Sequence, residues 1–197
     1  MRSRVFGVRL VAVALLVLLA LCLTACSNDT TICYYGYFEE QAFAFVYKQA
    51  TNTLHGIRLP LEQILLWGKA SGLDSIPIAM RNYVGLKESG FLIGSSDNFR
   101  TMCDLTDALG SESSAPDNNG KRLSTLASKA LVLSKKPLSD KINQLCGPDS
   151  AGLLKLMAEK NPTCVSYDAH SFFDTDDLNF SQRYFTKWLE QVLGGHK

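Results

Sequence analysis

The chain has 197 residues, 46% of them hydrophobic, with 20 Lys and Arg against 19 Asp and Glu. That length supports one domain with a real core, or at most two small ones. Arg2, Arg4 and Arg9 all precede Cys26, so the remainder carries 17 cations against 19 anions, net −2, which argues against nucleic-acid binding and against electrostatic attraction to anionic lipid.

Residues 1–25 read as a signal peptide. Three arginines form a positive start, and Leu10 to Leu23 is an uninterrupted apolar run. The run is shorter than the roughly 20 residues a membrane helix needs, and it suits a secretory core. An ordinary cleaved signal and an uncleaved anchor helix are the other readings of this segment. Leu23-Thr24-Ala25-Cys26 follows and resembles the bacterial lipobox. The resemblance implies that the Cys26 thiol takes a diacylglycerol and that cleavage falls just before it. Two or three acyl chains then anchor stably where one is marginal. Ser27 rather than Asp follows the lipidated position, which by the same resemblance implies the outer membrane, with the domain facing the periplasm.

Ser27 to Ile32 makes a short tether, about 20 Å at full extension, so residues 26–32 keep the following domain near the bilayer. Tyr34, Tyr35, Tyr37 and Phe38 come next. They suit either a headgroup contact or the start of a core. Phe38, Ala42, Phe45, Val46 and Ala50 recur at helical spacing and predict a first helix, ending near Leu54 with Gly56 behind. Glu39 and Glu40 would start that helix, and adjacent helical residues diverge too much to cooperate as an acid pair.

Further helices are predicted from Pro60 to Gly72, from Pro77 to Gly90, and from a Ser96 or Asp97 cap to Gly110. Gly94 to Asn98 is a polar loop that could offer backbone amides to an anion, although helix capping explains it more simply. Residues 111–120 hold no large apolar side chain and read as a loop or linker. Leu123–Leu133, Leu138–Leu145 and Leu153–Met157 continue the helical pattern. The last helix is capped by Thr175 or Asp176, with Phe180, Tyr184, Trp188 and Val192 as its apolar stripe. Strand character is confined to Gly90–Ile93 and Cys164–Tyr167.

Cys22 leaves with the signal and Cys26 takes lipid, so Cys33, Cys103, Cys146 and Cys164 remain in an oxidising compartment. Of three connectivities, Cys33–Cys103 with Cys146–Cys164 is favoured. The second loop alone would restrict the unfolded chain by about 3 kcal/mol. Zinc-ligand spacing is absent from the sequence. The expectation is an all-α fold, a compact multi-helix domain over 33–197 stapled by two disulfides.

Asp168, His170, Asp174, Asp176 and Asp177 form the densest titratable group. Counted from Asp174, the sequence lacks the Gly and Glu that a calcium loop requires. His55, His170 and His196 are the three histidines, and no nucleophile elbow accompanies them. No catalytic residue, metal or cofactor is therefore expected. By elimination the reading is a non-enzymatic envelope lipoprotein that binds a protein partner, such as an immunity protein neutralising a toxin from neighbouring bacteria. The other readings are a structural accessory of a secretion, conjugation or assembly machine, and an envelope hydrolase acting on peptidoglycan or lipid.

Overall fold

The computed structural model describes residues 30–98, 101, 127–136, 138–169 and 177–194. The chain divides into units Met1–Thr30 and Thr31–Lys197, and every element below belongs to the second. Five strands, β1 (Thr31–Phe38), β2 (Gln41–Lys48), β3 (Thr53–Leu59), β4 (Glu88–Ile93) and β5 (Thr163–Asp168), form one sheet in the order β4-β1-β2-β3-β5. β2 is antiparallel to β1 and β3, while β4 runs parallel to β1 and β5 parallel to β3. Four strands therefore point one way and β2 alone points back.

The helices are α1 (Leu61–Ala70), α2 (Ile76–Val84), α3 (Leu138–Cys146), α4 (Ser150–Lys160) and α5 (Leu178–Gly194), with a further helical stretch over 127–133. They divide between the two faces of the sheet. Tyr35, Ala42, Ala44, Val46, Ile57 and Leu59 meet α1, α2 and α5. Phe38, Phe43, Phe45, Tyr47, Leu54 and Leu92 meet α3, α4 and the 127–133 stretch. The result is a three-layer α/β/α sandwich, and the all-α expectation is wrong.

The physical reason lies in residues 38–54. Ala42 to Tyr47 are all buried, because β2 has helices on both faces. A strand covered on both sides reads as a continuous apolar run, in which spacings of three and four can always be found. The predicted first helix is instead a meander of β1, β2 and β3. Glu39-Glu40 is its first turn, with Glu39 at φ +53, and Asn52 closes the second turn at φ +47. Gly56, expected as a helix stop, pairs with Phe45 inside β3.

The disulfide staples are absent too. Cys33, Cys146 and Cys164 are all thiols, and Cys103 lies outside the described residues. Cys146 ends α3, whose next residue, Gly147, lies against the backbone of Phe91 and Ile93 in β4. Cys164 is in β5, at the other edge of the sheet. Four strand spacings, about 19 Å, separate those edges, and a disulfide tolerates no more than about 7 Å between Cα atoms. Loop length suggested the pair, but the strand order forbids it.

Candidate functional site

Parallel strands of an open sheet present their carboxyl ends to ligands more often than any other edge. Here that edge carries Arg58 at the end of β3 and Asp168 at the end of β5, register partners whose charged atoms lie 3.7 Å apart. Asp168 is half exposed, so the pair is worth at most about 1 kcal/mol. Along the same edge stands the Glu39-Glu40 turn. The Glu39 carboxylate accepts the Ser96 N–H at 3.3 Å, and the Ser96 hydroxyl donates to the Phe38 carbonyl at 3.1 Å. The Ser95 hydroxyl accepts the Asn98 N–H at 3.1 Å, so the cap is Ser95 rather than Ser96 or Asp97. These polar groups satisfy one another and tie the turn to the segment after β4.

The remaining sequence candidates scatter. Tyr35 and Phe38 are fully buried on opposite faces of β1. The Tyr34 ring is held between Gly90 and Gly152. The aromatic cluster thus belongs to the core, and Cys33 contributes a buried thiol there rather than a bridge. Burial pushes that thiol up to about 12, which disfavours the thiolate a nucleophile needs. Burial pushes the Cys164 thiol up as well. Asp177 caps α5, its carboxylate accepting the Asn179 N–H at 3.0 Å. His170, Asp174, Asp176 and His196 lie outside the described residues, as does the 111–120 segment. Among the described residues no three His, Cys, Asp or Glu side chains group as a metal site.

A feature the sequence reading missed is the outer surface of the α1–α2 pair. Leu65, Lys69, Leu73, Asp74, Ser75, Ile76 and Ala79 line a groove of about 300 Å3. Leu65 is 40% exposed, Leu66 56% and Ile78 41%. Helix α1 buries Leu61, Ile64 and Gly68, so the stripe expected through Leu61, Ile64 and Leu65 is rotated away from Leu65. The Leu65-Leu66 doublet was the available signal. Two adjacent positions on a helix lie about 100° apart, and a narrow contact with the sheet leaves one or both in water. Lys69 and Asp74 put a charge of each sign on the groove. The lining thus mixes apolar side chains with one charge of each sign.

No family model matches the chain, and no curated protein matches it. Among solved structures, the transcriptional regulator yvhJ from Bacillus subtilis superposes with a TM-score of 0.46 at 10% identity, over 84% of this chain and 97% of that one. A protein proposed to be a transcription regulator from Eubacterium siraeum DSM 15702 gives 0.45 at 12% identity, over 81% and 90%.

Proposed function

We propose that this chain is an envelope lipoprotein, anchored by acyl chains on Cys26, whose α/β domain acts by binding another protein, in the manner of an immunity protein against a delivered toxin. The observation that carries this reading is the order of basic start, apolar run and Leu23-Thr24-Ala25-Cys26 in the sequence. Strand β1 begins at Thr31, five residues after Cys26, so covalent reach alone would keep its first residue within about 17 Å of the anchoring sulfur. The exposed leucines of α1 with the groove beside them supply a surface for a partner.

Two measurements test it. Intact-mass analysis of the mature chain is expected to find Cys26 at the N-terminus bearing diacylglycerol, and Cys26→Ala should leave the membrane fraction. An unmodified N-terminus, or a Cys26→Ala form that still sediments with membranes, overturns the anchor. A photo-crosslinker at Leu66 in intact cells is expected to trap one discrete adduct, which Leu65→Asp abolishes while circular dichroism stays unchanged. No adduct at Leu66, or an adduct indifferent to Leu65→Asp, removes the α1–α2 surface from the proposal.

A further inference from the structure

His55 is the one histidine among the described residues, and it is buried inside the sheet-to-α5 layer at 7% exposure. Its Nδ1 is buried with no hydrogen-bond partner among the described residues. Its ring stacks on Tyr167 of β5, with centroids 5.9 Å apart and planes 19° apart. Tyr167 in turn meets Trp188 of α5 edge-on at 6.0 Å, and Trp188 touches Phe185. The seat of α5 on the β3–β5 corner is thus an aromatic chain that starts at an imidazole.

The charged neighbours of this ring make protonation costly. From β2, Lys48 lies on the same face, diagonal to His55 through its register partner Thr53. Its ammonium donates to the Leu193 carbonyl in the last turn of α5. From β5 the facing titratable group is Tyr167. Helix α5 sends Trp188, while Arg183, Lys187 and Glu190 lie on its exposed side. On β3 itself, Arg58 points to the opposite face. Among the described residues no carboxylate is set against the imidazole. A second cation there would sit beside Lys48 in a layer that is otherwise largely apolar.

We propose that His55 makes the seating of α5 acid-sensitive: protonating its ring loosens α5 from the β3–β5 corner, so that mild acid opens this end of the domain before the rest unfolds. Burial first, and Lys48 second, hold the imidazole below its ordinary value. A histidine that resists protonation when folded contributes stability that is complete above the ordinary value near 6.5 and is lost as pH falls from there toward the lower folded value, because the opened state takes up the proton.

The test uses the full chain purified in detergent as the cell produces it, and does not depend on what is attached to Cys26. Amide hydrogen exchange across α5 is followed from about pH 7.5 to about pH 5, corrected for the intrinsic rate of exchange. The wild type is expected to lose about tenfold in α5 protection, with β1 and β2 unchanged, and His55→Phe to lose none. Equal loss in His55→Phe overturns the proposal. Should that variant fail to fold, the wild-type imidazole is titrated by NMR. A midpoint below 6.5 that coincides with α5 amide shifts supports the proposal, and an ordinary midpoint or silent α5 amides overturns it.

Discussion

Tyr34 shows how much one side chain in this fold depends on two absent ones. A Cβ on Gly152 would stand 2.7 Å from the Tyr34 hydroxyl, and one on Gly90 would stand 2.8 Å from the ring. Gly152 lies in the first turn of α4 and Gly90 in β4, so the ring fills the space that the two glycines leave between helix and edge strand. Asp149 completes the slot, its carboxylate accepting the Phe91 N–H at 2.8 Å. Gly152→Ala is expected to destabilise the domain by about 1–3 kcal/mol through overpacking, read from urea unfolding. Tyr34→Phe, which removes the clashing oxygen, should recover part of that loss in a double-mutant cycle. Purely additive costs would show that the added methyl group does not meet the ring. Sequence alone identified Tyr34 as an aromatic of ambiguous role, because the glycines that define its slot are 56 and 118 positions away.

At the scale of elements, the helices were more legible than the strands. Pro60 and Gly72 bracket α1, and Asn161-Pro162 ends α4, with Asn161 in the left-handed conformation at φ +43. Such punctuation is local, so it can be read without the fold. The two segments expected to have strand character lie in β4 and β5, at the sheet edges. The central strands were misread because burial on both faces erases the alternation that marks a strand. Helix α5 is legible in the sequence, with an expected stripe of Phe180, Tyr184, Trp188 and Val192, of which Trp188 does pack against the core. The buried positions include Ser181, Phe185 and Leu189, and Tyr184 is half exposed. A one-residue error rotates a helix by about 100°. The β2–β3 turn carries a further prediction. Asn52 holds a left-handed conformation, its side-chain oxygen accepts the Tyr47 hydroxyl at 3.0 Å, and its amide donates to the Lys160 carbonyl at 3.1 Å. It thereby joins the turn to the end of α4. Asn52→Ala is expected to cost about 1–2 kcal/mol in chemical denaturation, and Asn52→Gly less, since glycine keeps the backbone conformation. Equal costs would assign the whole effect to the side-chain bonds.

For the molecule as a whole, topology decides which chemistry is within reach. Cys146 ends α3 beside the β4 edge of the sheet, and Cys164 lies in β5 at the other edge, so peptide mapping without reductant is expected to recover both as alkylatable thiols. A linked Cys146–Cys164 peptide would contradict the strand order. The candidate surface was illegible for a related reason. Leu65 and Leu66 lie in the same helix as Leu61 and Ile64, and only the tertiary packing of α1 on the sheet and on its neighbours, including Ala79 of α2 against Gly68, decides which of the four remain in water.

Strand β1 begins at Thr31 and is flanked on both sides, by β2 and by β4. If the chain is fixed to a membrane just ahead of that residue, any tug on the domain enters along the axis of an interior strand. Drawing β1 out would shear two hydrogen-bonded ladders at once instead of peeling one bond at a time from a free margin. Attachment at this end is therefore the mechanically strong choice. The same tether spliced to the far terminus would enter through α5, the helix seated on the acid-sensitive corner.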